Sequence, residues 1–91
     1  PPPPAPTGRA TARVAGGVRV TWSDNSGNET GFRIERRGGN SSSMIEVGSV
    51  GAGVQEFVDV SATPNTGYAY QVRACNNKVC STPSNEAIVG S

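Results

Sequence analysis

Apolar and polar residues alternate along this chain in short runs, and no run carries a helical stripe with caps. The clearest is Tyr68-Ala-Tyr-Gln-Val-Arg-Ala-Cys75, where Tyr68, Tyr70, Val72 and Ala74 alternate with Ala69, Gln71, Arg73 and Cys75. A period of two predicts a β-strand with one buried face and one wet face. Val18-Arg-Val-Thr-Trp22 repeats the pattern and sends Val18, Val20 and Trp22 inward. Gly31-Phe-Arg-Ile-Glu-Arg36 does the same, with Phe32 and Ile34 inward and Arg33 and Glu35 outward. Further strands are expected over residues 10–14, 44–50, 54–60 with Phe57 inward, and 81–89. The imperfect alternation of 44–50 suits an edge or a bulge. Pro83 lacks a ladder donor and places the last strand at a sheet edge or a bulge. Glycine-bearing turns separate these runs, among them Ala15-Gly-Gly17 and Gly51-Ala-Gly53. Short strands punctuated in this way predict an all-β, seven-stranded antiparallel sandwich of two sheets.

Ninety-one residues make one domain with a single modest core. The net charge of +1 argues against a dedicated nucleic-acid binder, which concentrates basic residues in a stripe. No apolar run approaches the roughly 20 residues that span a bilayer. No signal-peptide pattern is present, so an export signal is expected outside these residues. Pro1-Pro-Pro-Pro-Ala-Pro6 favours polyproline II, and residues 1–7 read as a semi-rigid linker ahead of a domain over 8–91.

Cys75 and Cys80 are the only cysteines, and there is no histidine. Two thiols alone cannot hold tetrahedral zinc. Five positions apart, they are too close to join opposite sheets of a sandwich, so a cross-hairpin disulfide is expected, and with it an exported protein. Closing so short a loop adds only about 2 kcal/mol in the chain-entropy model. Two free thiols in a cytosolic protein are the alternative.

The motifs Trp22, Asp24-Asn-Ser26, Glu29-Thr-Gly-Phe-Arg-Ile-Glu-Arg36, Tyr68 to Ala74, and Ser84-Asn-Glu86 together resemble a fibronectin type III domain. The resemblance covers nearly all of residues 6–90. It is closest to the bacterial versions that stand as accessory modules in secreted multidomain enzymes. It implies strands A (10–14), B (18–22) and E (54–60) packed against C (31–36), C′ (44–50), F (68–75) and G (81–89). It also implies that Tyr68 is a corner tyrosine whose hydroxyl ties back to the crossing loop near Pro64. Ala62 stands where the family usually has leucine, so the corner is expected to be less well filled. The Cys75–Cys80 pair is a second departure from the family pattern.

Candidate chemistry changes this picture little. The carboxylates fall on outward positions or in separate loops, whereas glycosidases need two facing one cleft roughly 5–10 Å apart. No histidine is present to activate a serine. Asp24-x-Ser26-x-Asn28 with Glu35 echoes a calcium loop, but Glu29 replaces the required glycine and Glu35 falls on a strand. Asp24, Asn25 and Ser26 are expected to bond the loop's own backbone instead. Asn28-Glu-Thr30 and Asn40-Ser-Ser42 match the N-glycosylation pattern, which matters only in a eukaryotic source. Arg33, Arg36, Arg37, Arg73 and Lys78 would gather on the C–F–G face, either as an anion patch or, as expected from the interleaved signs, as a solvated face pairing with Glu35 and Glu46. Trp22, Phe32, Phe57, Tyr68 and Tyr70 are all assigned inward with Ile34 and Val72, which leaves no aromatic platform for sugar rings. The Arg-Gly-Asp tripeptide of some animal members of the family is absent.

The expected function is therefore a non-catalytic spacer or weak interaction module of a secreted multidomain bacterial protein, with a polysaccharide-degrading enzyme as the expected parent. It needs no cofactor or metal and acts as a monomer. Its partners are the neighbouring domains, with weak polysaccharide or protein contact and none with nucleic acid or membrane. The alternative is an adhesion module that binds through the loops at 24–30, 38–43 and 76–79.

Overall fold

Each alternating run becomes a strand, because a period of two puts its apolar members on one side of a pleated ribbon. The computed structural model of the chain describes residues 7–23, 29–38, 43–63, 66–76, 79–81 and 86–90. Its strands are β1 (Thr7–Val14), β2 (Gly17–Ser23), β3 (Gly31–Gly38), β4 (Ile45–Gly51), β5 (Glu56–Asp59), β6 (Tyr68–Cys75) and β7 (Ala87–Val89). They form two antiparallel sheets, in the orders β1-β2-β5 and β4-β3-β6-β7. This is the all-β sandwich that the pattern predicts, with the sheet membership that the resemblance implies.

The core lies where the inner faces meet. Val18, Val20 and Trp22 from β2 face Phe32 and Ile34 from β3 and Tyr68, Tyr70, Val72 and Ala74 from β6. Val18, Val20, Ile34, Tyr70 and Val72 have no exposed surface. Phe57 is half-buried at the margin, packed against this cluster with Val47, Val50 and Ala62. Its ring occupies the space that a side chain at Gly48 would need.

Several boundaries differ from the sequence reading. β1 opens at Thr7, inside the proposed linker, with a register shift before Ala10. β5 is confined to Glu56–Asp59, and β7 runs over Ala87–Val89, while residues 82–85 of the expected last strand lie outside the described residues. Residues 1–6, and with them the rest of the linker, lie outside the described residues, as do Pro64 and Pro83. β6 departs most, because it is buried on both faces. It runs between β3 and β7, so neighbouring side chains roof its outer face, and Ala69 and Gln71 are nearly inaccessible. β4 is an edge strand, and its pairing with β3 shifts by one residue between Ile34 and Glu35.

The registers define two poles. At the first, Cys75 faces Gly31, Gly31 faces Gly51, and Thr7 faces Ser23. The sheets meet there through Trp22 against Phe32, ring centroids 5.5 Å apart. At the second pole, Tyr68 faces Gly38 and Val89, and Val18 faces Asp59. The sheets meet there through Asp59 bonded to Tyr70 and Arg36. β1 thus begins at one pole and β7 ends at the other.

Gly48→Ala is expected to destabilise the domain by about 1–3 kcal/mol, by displacing the Phe57 ring. In a Phe57→Ala background the same change should cost much less. A urea-unfolding double-mutant cycle measures the difference.

Candidate functional site

The β6 hairpin is the natural starting point, because its sequence brings a cysteine pair to one pole. Cys75 and Cys80 are joined, with an S–S distance of 2.02 Å. The turn they close is also held by two local hydrogen bonds. Asn76 N–H donates to the Val79 carbonyl at 2.9 Å, and Val79 N–H donates to Asn76 Oδ1 at 3.1 Å. Beyond the disulfide, buried Ser81 grips β6: its N–H donates to the Ala74 carbonyl at 2.7 Å, its Oγ accepts from Ala74 N–H at 3.0 Å, and its carbonyl accepts from Arg73 Nη1 at 3.2 Å. Thr30 N–H donates to the Cys75 carbonyl at 2.7 Å and ties the entry of β3 to the same pole.

Four of the five aromatic rings are interior. Trp22 is 4% exposed, Phe32 2%, Tyr68 8% and Tyr70 0%. Phe57 is the half-buried one, facing Gly48. None of the four presents an open face on which a pyranose could stack. The Trp22 indole N–H is buried without a hydrogen-bond partner among the described residues. Tyr68 behaves as the corner residue: its hydroxyl accepts from Thr63 N–H at 2.9 Å, within the loop that crosses to β6. Ala62 packs there against the core.

The most concentrated chemistry lies at the second pole. Asp59 ends β5 with its carboxylate buried between the sheets. Its Oδ2 accepts from Tyr70 Oη at 2.7 Å and from Arg36 Nη1 at 2.7 Å. Its Oδ1 accepts from Ser61 N–H at 3.0 Å and Ser61 Oγ–H at 2.6 Å. The Arg36 guanidinium also lies over the Tyr68 ring, 4.6 Å from its centroid, in cation–π contact. Burial alone would raise the Asp59 carboxyl, but the hydrogen bonds from Ser61, Tyr70 and Arg36 outweigh it and hold the group below its ordinary value. Burial, reinforced by the Asp59 carboxylate, pushes the Tyr70 phenol up. This cluster was not singled out from the sequence, although a signal was present. Asp59 is two residues after inward Phe57, and Arg36 is two after inward Ile34, so both charges stand in phase with core positions. Arg36 consequently does not share a face with Arg33 and Arg37: it points between the sheets.

On the outer face of the four-stranded sheet, the remaining arginines are paired. Arg33 Nε lies 3.0 Å from Glu46 Oε1. Arg73 Nε donates to Glu35 Oε1 at 2.9 Å, and Gln71 Nε2 donates to the same oxygen at 2.6 Å. Arg37 grips Glu86 with two bonds of 3.0 and 2.8 Å. Burial tends to raise the Glu35 carboxyl, but Arg73 and Gln71 hold it below its ordinary value. The face is therefore one of interleaved signs. Lys78 lies outside the described residues, as do Asp24, Ser26 and Asn28 of the calcium reading and the Asn28 and Asn40 acceptors. Glu35, the last ligand of that reading, is committed to Arg73 and Gln71. No group of three or more metal-ligating side chains occurs among the described residues.

No protein-family model and no curated protein sequence matches the chain. Solved structures do match its fold. A crystal structure of titin domains superposes with a TM-score of 0.83 at 21% identity, covering 97% of this chain and 32% of that one. An Fn3-like protein from Clostridium thermocellum gives 0.79 at 22% identity, covering 97% and 92%. A pectate lyase from Pectobacterium carotovorum gives 0.75 at 19% identity, covering 91% and 26%. The chain thus has the fibronectin type III fold. It spans about a third of the titin fragment's length. No helix among the described residues is long and apolar enough to cross a membrane.

The Asp59 geometry sets a pH dependence. Because the folded-state value is depressed, Asp59 contributes stability fully above the ordinary carboxylate range of about 4, and this is lost as pH falls through the folded value. Thermal melts of the parent should hold a steady midpoint from about pH 7 to 5 and drop below about pH 4. Asp59→Asn should melt lower at pH 7 and lose less on acidification; parallel curves for the two proteins would contradict the assignment.

Proposed function

We propose that this chain is a non-catalytic accessory module of a secreted multidomain bacterial protein, and that it spaces neighbouring domains in a polysaccharide-degrading enzyme. Residues 1–7 are the linker that leads into the module, its last residue Thr7 already entering β1. The observation that carries this reading is the placement of the strand ends. β1 enters at one pole and β7 leaves at the other, so a stiff body separates whatever is attached at each side. The buried rings and the disulfide favour rigidity. The disulfide also fits an oxidising, extracellular compartment. The same fold within a pectate lyase chain supplies a precedent for the setting.

A second reading, adhesion through the loops, has one specific observation in its favour. Val79 is 43% exposed on a turn that the disulfide holds in place, and loops on a rigid scaffold are natural contact sites.

Deleting the module from its multidomain parent should reduce activity on an insoluble polysaccharide several-fold and leave activity on a soluble oligosaccharide unchanged. Equal losses on both substrates would contradict a spacing role. Firm retention of the isolated chain on chitin, cellulose or an anionic glycan would favour the adhesion reading instead.

A further inference from the structure

We propose that the outer end of the β3–β4 edge is a low-affinity site for a neutral saccharide, recognised through a vicinal pair of hydroxyls. This gives a place and a ligand class to the weak polysaccharide contact of the reading above, but it rests on separate observations. The first is the register shift between β3 and β4. Arg33 faces Ser49 and Ile34 faces Gly48, yet Glu35 faces Glu46, so Val47 is the extra residue of a bulge. Without that shift Glu35 would face Val47, and Glu46 would fall opposite inward Arg36. The bulge therefore turns Glu46 to the outer face and delivers it to Arg33. Re-aiming a side chain at a sheet edge is a recognised use of bulges.

The second observation is a shallow groove of about 300 Å³ beside this pair, with Thr30, Ser49, Val50 and Cys75 among its walls. The third is the bonding capacity left open. The Arg33–Glu46 contact uses Nε and Oε1. The terminal guanidinium nitrogens, Glu46 Oε2 and the Ser49 hydroxyl make no hydrogen bond among the described residues, and Arg33 and Glu46 side chains are 44% and 49% exposed. A donor group paired with an acceptor complements two adjacent hydroxyls: one accepts from the guanidinium while its neighbour donates to the carboxylate. The pair carries no net charge, so Glu46 disfavours an anion and Arg33 a cation. Val50 and the disulfide at Cys75 offer apolar surface for the C–H side of a sugar ring. No aromatic ring stacks there, so the affinity is millimolar, below what survives washing on an insoluble matrix.

The test is an ¹⁵N-NMR titration of the chain with cellohexaose, xylohexaose and hexagalacturonate. At least one neutral oligosaccharide should shift the amides of Thr30, Arg33, Glu46 and Ser49 together with the Arg33 Nε–H signal. Binding should weaken at least fivefold in Arg33→Ala and in Glu46→Ala, whose spectra elsewhere should overlay the parent because both side chains are exposed. No shift with either neutral sugar, a stronger response to hexagalacturonate, or binding unchanged in both variants would each overturn the site. None of these results bears on the spacing role, which depends on where the strand ends lie.

Discussion

One buried carboxylate connects the two layers of this domain. Asp59 belongs to the three-stranded sheet, while Tyr70 and Arg36, which bond its Oδ2, belong to the four-stranded sheet. Removing a carboxylate from water is costly unless its lone pairs are met, and here four hydrogen bonds meet them. Apolar faces can slide over each other at little cost, whereas this set of bonds is satisfied in one arrangement. The geometry therefore favours a single register between the sheets. It also orients Tyr70, whose ring fills the core while its hydroxyl serves the carboxylate, and places Arg36 over Tyr68.

The functional reading follows from that constraint. The large rings hold the layers together, and the charges on the outer sheet face are engaged with one another. What remains to act on surroundings is the body's rigidity, its end-to-end path, and small polar features at its edges. The disulfide extends the same logic to the first pole, where the strand ladder has ended and a covalent tie and Ser81 hold the hairpin.

Much of this fold was legible in the sequence, because alternation is strict where one sheet face is dry. Val18 to Trp22 and Phe32 to Ile34 show it residue by residue. Alternation could not reveal that β6 is covered on both faces, since that depends on its place between β3 and β7 and on partners such as Glu35, which Gln71 and Arg73 bond. The Asp59 cluster was missed for a different reason. A charged residue in an inward phase reads as the end of a strand, and only the partner brought by another sheet makes it part of the core. The β3–β4 bulge likewise left only irregular spacing at residues 44–50, with no indication that Glu46 would meet Arg33.

The central claim is that Tyr70 and Asp59 bond across the sheets in the interior. The most direct measurement is NMR detection of the Tyr70 hydroxyl proton. A buried, bonded hydroxyl exchanges slowly enough to give its own resonance, with nuclear Overhauser contacts to both the Tyr70 ring and β5. Failure to find that resonance, with an Asp59 carboxyl carbon that titrates at the ordinary carboxylate value, would show that the two layers are not joined in this way.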